Sequence, residues 1–541
     1  MGNSTFKPLR ITYVLILSTL VTGFGSLAVL PFGEEFDGSA HYSYIQQIAD
    51  AGIMSVFSER NVSIDVNVYR KYLPTSYTSI SPFDDLRGGI TYRKFFSMPL
   101  SREVSITLNT PRNFVPSDVT NVELQHPPLY YALLAPIYSM SHNWSWPAQM
   151  FLLRSVSWVF AFIGYVLGIA AIIRYWPKND ARTVAAIAAA WPFLIPMFFP
   201  EMARLGGDSL CLLIMGGVWW MLLRICSPRV EERPRDFVVL GILLGIGLLS
   251  KAFFIPITAG VALFLFFRGD RMGLVVIIAA TLLLGFPWYI YKLISSGVFT
   301  GASEHGELAR QGGLIKGLAE KLNVFGLARG LAAMVASTTW GGTLSLARFH
   351  EIFLAPLVVL LMAPISAYVG SIYKTRLGDF SWAPLFIISM LVAGLVHHVL
   401  LMLAMTGIGN NTPGWYLHIL TGPMGFIYSL GLLWLLQYGA ARVLFPALAL
   451  YSVGYFATVS WVQIAMFAGC ATKEGSVKYY AFPEGASCLL DVGRITHNLS
   501  VLAYPYIGIP LLFVGIISGG IGLAMLYVQM RRCFLDAASG I

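Results

Sequence analysis

The chain has 541 residues, of which 56% are apolar and only 12% charged, against about 45–50% and 25% in an ordinary soluble domain. Mean hydropathy is +0.69, and apolar runs of spanning length recur from about residue 11 to about residue 528. A large water-soluble domain is thereby excluded and one polytopic, all-α membrane body is expected. The net charge of +9 points to basic loops on one membrane face and away from nucleic acid as a partner.

The first apolar run, Ile11 to about Pro31, follows Lys7 and Arg10 and is too long for a signal-peptide core. It predicts a retained helix with its amino terminus inside. Short basic turns then recur at Arg174, Lys178 and Arg182, at Arg224, Arg229, Arg233 and Arg235, at Arg268 and Arg271, at Lys374 and Arg376, at Arg442, and at Arg531 and Arg532. If all are cytoplasmic, an even number of crossings separates each neighbouring pair. External turns then fall near 200–208, near 251, across 293–352, at 406–414 and across 469–498. About twelve spanning helices follow, with both termini cytoplasmic. The apolar stretch Leu129 to Met140 is below the roughly 17 residues a crossing needs and predicts a re-entrant or interfacial helix. The chain thus divides into a first transmembrane helix (1–31), an external loop (32–127), a membrane core (128–292), a second external loop (293–352) and C-terminal transmembrane helices (353–541) with an external loop at 469–498.

Cys470 and Cys488 share that last loop, where a disulfide fits an oxidising compartment and two unpaired thiols are the bland alternative. Two external loops are long, which places function on the external face. In the first, Gly33-Glu34-Glu35-Phe36-Asp37-Gly38-Ser39-Ala40-His41-Tyr42 leads into apolar residues at Ile45, Ile48, Ala49, Gly52, Ile53 and Val56. This spacing predicts an amphipathic helix on the membrane surface. From Glu59 to Leu124, alternating residues broken by Pro74, Pro82, Gly88 and Gly89 allow small strands or irregular coil.

Several polar residues stand out because charge is scarce. Asp37 begins the predicted helix, so it is either an N-cap or an oriented, ionised carboxylate suited to act as a base or metal ligand; Glu34 and Glu35 lie beside it. His41, one turn later, shares its face. His126-Pro127-Pro128-Leu129-Tyr130-Tyr131 reads as a rigid corner at the entry to the short helix. Glu201-Met202-Ala203-Arg204-Leu205-Gly206-Gly207-Asp208 puts charges on a tight turn at a helix mouth, as a solvated ion pair or as part of a polar site. Lys251, between two short apolar runs, either snorkels or meets an anion such as a lipid phosphate, with Arg204 as a second, forked contact. There is no Walker loop, no GxGxxG in a strand-to-helix context and no HExxH; His350-Glu351 lacks a second histidine, and His397-His398 has no nearby cysteines. The sequons at Asn3, Asn61, Asn143 and Asn498 fall within chance.

Taken in order along roughly residues 11 to 435, these motifs resemble the GT-C superfamily of membrane glycosyltransferases, in the branch of protein O-mannosyltransferases and lipid A aminoarabinose transferases. Phe36-Asp37-Gly38-Ser39-Ala40-His41-Tyr42 looks like its first-loop acidic motif, with Gly38 where Glu is common, and His126 to Tyr131 like its proline corner. Arg204 to Asp208 resembles its second-loop element. Gly247-Leu248-Leu249-Ser250-Lys251 resembles the stretch whose lysine approaches the carrier phosphate. Pro287-Trp288-Tyr289-Ile290-Tyr291-Lys292 and Gly414-Trp415-Tyr416-Leu417-His418 take the places of later motifs without their arginines. The resemblance implies transfer of a sugar, with inversion, from a polyprenyl-phosphate donor to a glycan, lipid or protein hydroxyl of the cell envelope. Asp37 would be the base and Lys251 with Arg204 would hold the phosphate. Glu35, Glu201 and Asp208 would position the acceptor or hold an optional Mg or Mn ion, with no cofactor strictly required. His41, His126, Pro127, Pro128 and Tyr130 would shape the site. A transporter or flippase of lipid-linked sugars is the alternative.

Overall fold

The computed structural model describes residues 8–35, 37–74, 90–98, 108, 112–195, 197–301, 303–339, 355–375, 378–409, 413–437, 441–472 and 481–539. Phe36, Pro82, Gly88, Gly89, His350, Glu351 and Arg376 lie outside these residues, as do Asn3 and Lys7.

Among the described residues, nine helices are long and apolar enough to cross a membrane, so the chain is an integral membrane protein. They include α1 (Pro8–Val29) near the start. The long loop that follows contains α2 (Gly38–Ala51), α3 (Ile64–Tyr72), α4 (Tyr92–Ser97) and the short α5 (Leu129–Met140). The membrane body continues with α6 (Trp146–Tyr175), α7 (Ala181–Ala189), α8 (Phe198–Ala203), α9 (Asp208–Cys226), α10 (Pro234–Leu248), α11 (Phe254–Arg268) and α12 (Arg271–Ser296). Three loop helices follow, α13 (Ser303–Arg310), α14 (Gly313–Lys321) and α15 (Val324–Thr339). The chain ends with α16 (Ala355–Thr375), α17 (Asp379–Thr406), α18 (Thr421–Leu436), α19 (Ala441–Phe467), α20 (Val492–Leu499) and α21 (Pro505–Ser539).

Three of the crossings expected from charge are short or broken. The stretch 181–203 divides into α7, a single turn at Trp191–Leu194 and α8, with Pro192 and Pro200 interrupting the helical ladder. Helices α10 and α11 have 15 residues each, about 22 Å of length against a hydrocarbon core of about 30 Å. The turns between these segments, at 204–207 and 249–253, carry the buried cations Arg204 and Lys251, so the helices stop short where the charge is recessed.

Hydrogen bonds sort the turns into two groups. At one end, Ser227 donates to the carbonyl of Tyr175 (3.2 Å), and Arg268 reaches Asp379 (3.0 Å) and Glu232 (2.9 Å). At the other, Gly414 N–H donates to Ser337 Oγ (2.8 Å), Lys292 to the carbonyl of Leu124 (2.7 Å) and Tyr504 N–H to that of Ala28 (2.8 Å). Helix α10 runs from the Arg224–Asp236 ion pair at the first end to Lys251 at the second. The basic turns at 174–182, 224–235 and 268–271 therefore lie opposite the polar cluster around Lys251.

Between Glu59 and Leu124 the chain forms a two-stranded antiparallel sheet, β1 (Asn61–Ser63) with β2 (Pro116–Thr120), together with α3 and α4. Helix α2 is not the open surface helix its periodicity predicts, because Gly38 to Ile48 are all buried. Its polar face is covered by neighbouring chain: Ser43 Oγ accepts from Ser63 N–H (2.7 Å), Gln46 donates to Asp65 (3.3 Å) and Tyr42 to Gln149 (2.5 Å). Helix α5 has the length expected of it and packs along α2. Cys470 and Cys488 form a disulfide, with Cα atoms 5.7 Å apart. Arg494 and Arg93 both reach Glu484 in the same region, tying it to α4.

Candidate active site

The acidic segment after α1 is fixed by an arginine from α6. Arg154 forms a buried ion pair with Glu35 and donates to the carbonyls of Leu30 and Pro31. A Cβ added at Gly38 would meet Glu35 Cβ and Oε2 at 2.5 Å, so while Glu35 holds this pair no larger side chain fits at 38. Asp37 lies between them with φ 55°, the one positive φ outside glycine among the described residues. It occupies the N-cap position of α2, but its side chain makes no capping bond. A capping side chain needs an extended backbone, and the left-handed turn supplies the other arrangement, a strained conformation of a kind that clusters at functional sites.

The second element is a chain of buried charges. Arg204 Nε lies 2.7 Å from Glu201 Oε1, and its Nη2 lies 2.5 Å from Asp208 Oδ2. Lys251 Nζ reaches both Asp208 oxygens, at 3.0 and 3.1 Å. Lys251 does not snorkel: it is 2% exposed, and its ammonium lies 4.9 Å from the Phe253 ring centre and 5.1 Å from that of Tyr416. Asp208 opens α9, where the positive end of the helix dipole stabilises its carboxylate alongside the two cations.

The Gly206 turn joins the two elements. Gly206 N–H donates to Tyr130 Oη (3.0 Å), which also pairs with Ser157 Oγ (2.6 Å), so the proline corner is bolted to the second turn. A Cβ at Gly206 would stand 3.5 Å from Arg204 Cζ, 3.6 Å from Asp208 Oδ2 and 3.6 Å from His41 Nε2. His41, Arg204 and Asp208 thus face one small gap. Behind His41 lies Glu123, whose Oε2 is 3.2 Å from His41 Nδ1 and 3.4 Å from His126 Nε2. Burial first, and the charge of Asp37 next, push the Glu123 carboxyl up to about 8, although Lys251 and Arg204 pull it down. Burial likewise pushes His126 down to about 3, with Lys251 adding to it, and holds His41 well below the ordinary histidine range. Both imidazoles are therefore neutral at physiological pH.

Glu35, His41, His126, Tyr130, Glu201, Arg204, Asp208 and Lys251 enter the contacts described above, Asp37 stands in the turn before α2, and the disulfide pair lies elsewhere. Pro128 precedes α5 as its N-cap. Glu35, Glu201 and Asp208 were candidates for a divalent ion, but each carboxylate is held by Arg154, Arg204 or Lys251. Among the described residues no three His, Cys, Asp or Glu side chains gather as a metal site. Held in this way, these three carboxylates are not arranged to receive a divalent ion.

Sequence reasoning missed Arg154 and Glu123. A lone arginine inside the apolar run of α6 is itself a signal, because an intramembrane charge needs a partner. Glu123 offers no such signal, since a glutamate in a polar loop reads as solvated.

A scan against protein-family models finds no match, and a search of curated proteins finds none. Among solved structures the chain is similar to ArnT from Cupriavidus metallidurans in the apo state, with TM-score 0.46 and 11% identity over 96% of this chain and 76% of that one. The same protein bound to undecaprenyl phosphate gives TM-score 0.42 and 11% identity over 96% and 77%. An Archaeoglobus fulgidus oligosaccharyltransferase tethered with an acceptor peptide gives TM-score 0.41 and 14% identity over 95% of this chain and 56% of that one. These likenesses are loose, and a functional reading rests on the chemistry of the site's own residues.

Proposed function

We propose that the chain is an integral membrane glycosyltransferase of the GT-C kind, which moves a sugar from a polyprenyl-phosphate donor to an acceptor hydroxyl. The observation that supports this most is the meeting, from three separate stretches of chain, of His41 of the Asp37 segment with Arg204 and Asp208 at the Gly206 gap, where Lys251 joins through its ion pair with Asp208. The leaving group is a phosphate whose second pKa is about 6, so its departure needs charge stabilisation more than a proton. One base then suffices, unlike the paired carboxyls of a glycoside hydrolase. Asp37 takes the hydroxyl proton of the acceptor as it attacks the anomeric carbon, and Lys251 and Arg204 hold the departing phosphate. Direct displacement inverts that centre. The segregation of basic turns at the opposite end supports an external site and a glycan, lipid or protein acceptor of the cell envelope.

Broken helices such as those at 181–203 also occur in transporters, which keeps a flippase as the second reading. Purified protein in detergent, where no two compartments exist, is expected to transfer sugar from a synthetic polyprenyl-phosphate donor; failure to do so favours the flippase. In that assay Asp37→Asn should keep donor binding and lose transfer by about a hundredfold or more, and a fully active variant overturns the assigned base. Lys251→Ala should weaken donor affinity, and unchanged affinity removes Lys251 from the phosphate site.

A further inference from the structure

The second long loop packs a helical elbow, α14 and the start of α15, against the end of α17. On α14 the contact side holds Leu314 and Leu318, which pack with Leu401 and Ala404. Gly317 lets the backbones close, since a Cβ there would stand 2.8 Å from the carbonyl oxygen of Ala404, and Lys321 donates to the carbonyl of Met405 (2.5 Å). Helix α15 comes as near: a Cβ on Gly330 would stand 2.6 Å from the carbonyl oxygen of Gly409. Between the two helices Asn323 Oδ1 accepts from Gly326 N–H (2.5 Å), so the bend is fixed from within as well as from behind.

The outward side of this fixed bend is apolar. Ile315 is 87% exposed, Leu322 53%, Val324 80% and Phe325 89%. Ile315 and Leu322 are seven positions apart and share one side of α14, while Lys316 and Glu320 take another. Lys316, Lys321 and Arg329 outnumber Glu320 as the charges of 311–330. The level of the bilayer follows from α17. Its 28 residues make about 42 Å of helix, against about 30 Å of hydrocarbon and about 40–45 Å with both headgroup layers. It starts at Asp379, held by Arg268 among the basic turns, so its last turn reaches the headgroup layer of the opposite leaflet, and the elbow rests on that turn.

We propose that the elbow is a lipid-docking surface, with Ile315, Leu322, Val324 and Phe325 at the boundary of acyl chains and headgroups and Lys316, Lys321 and Arg329 among anionic headgroups. A surface of this composition gains both from apolar burial and from attraction to anionic lipid. Because the bend is already shaped, little ordering entropy opposes docking. Helix α15 joins the elbow to the candidate site: Ser337 Oγ accepts from Gly414 N–H (2.8 Å) and His418 Nε2 donates to the carbonyl of Thr338 (2.7 Å). Gly414 and His418 each stand two positions from Tyr416, whose ring meets the Lys251 ammonium. Docking therefore gives that ring a fixed height relative to the bilayer.

The test places a nitroxide on Phe325→Cys or on Glu320→Cys in the full-length protein, in nanodiscs of phosphatidylcholine with phosphatidylglycerol, with the unsubstituted chain labelled in parallel as the blank. Both positions are exposed, so melting temperatures equal to wild type are expected; Ile315→Cys serves as a second apolar position. At position 325 dissolved oxygen, which concentrates in the bilayer, should relax the label more than a water-soluble nickel chelate does, and at position 320 the order should reverse. A label at position 325 relaxed more by the chelate, or shielded from both reagents as a protein partner or a second copy would shield it, overturns the proposal. In phosphatidylcholine alone the oxygen-to-nickel ratio at position 325 should fall by about twofold or more, and adding Lys316→Gln with Arg329→Gln should remove that difference between lipids. A ratio indifferent to phosphatidylglycerol overturns the part given to the basic residues.

Discussion

Arg154 and Glu35, 119 positions apart in sequence, form a buried ion pair that fixes the turn leading to Asp37. The same guanidinium caps the carbonyls that end α1, so one side chain sets both the helix end and the acidic segment. Removing one partner of a buried pair typically costs about 3–5 kcal/mol, whereas replacing both with apolar groups is often neutral. Arg154→Ala should therefore lower the unfolding midpoint in detergent strongly, and Arg154→Met combined with Glu35→Met should recover much of the loss. Equal stability of Arg154→Ala and wild type would remove the pair from the scaffold of the site.

Gly206 offers a probe of the gap itself. A methyl there makes ordinary contacts at 3.5–3.6 Å with Arg204, Asp208 and His41, so Gly206→Ala should change stability by no more than about 1 kcal/mol. It would nevertheless occupy the space into which those three groups converge. Steady-state kinetics should show donor KM raised about tenfold or more at an unchanged melting temperature. Unaltered KM and kcat would mean that substrate does not enter between them.

The Cys470–Cys488 bond closes a loop with a sequence separation of 18, for which chain-entropy reasoning gives about 3 kcal/mol. Because such bonds persist in oxidising compartments, it also reports on sidedness. Peptide mapping without reductant, on protein taken from native membranes with free thiols blocked, should recover the two cysteines joined. Recovery of both as blocked thiols would place this loop, and the site at the same end of the bundle, on the reducing side.

Much of the architecture was legible because membrane proteins put their charges where physics forces them. The recurrence of basic turns laid out the helix breaks, the length of Leu129–Met140 marked α5 as too short to span, and Lys251 stood out as a charge in an apolar bend. What could not be read was pairing. Lys251 meets Asp208 across 43 positions, and nothing in either segment names the other. Glu35 read as an acceptor or ion ligand beside Asp37, and only its partner Arg154, in a distant segment, assigns it to scaffolding. The burial of α2 was also hidden, because Ser43 and Gln46 find their partners in the segment around Ser63 and Asp65, which carries no periodic signal. Glu123 was the least visible, since its importance comes from what surrounds it.

Helices α1 and α21 pack along each other: Ser18 donates to Ser518 (2.8 Å), and a Cβ on Gly515 would collide with Thr22 Oγ1. On the ribosome, then, α1 enters the bilayer long before the surface that receives it exists. Most of the remaining chain must be threaded in while the close-packing stripe of α1 faces lipid or a temporary protein companion. Loop-closure entropy over such a span is modest, so the difficulty is one of timing. This part of the bundle closes only when α21 arrives beside α1, which makes the assembled protein sensitive to interruption of synthesis at any intervening point.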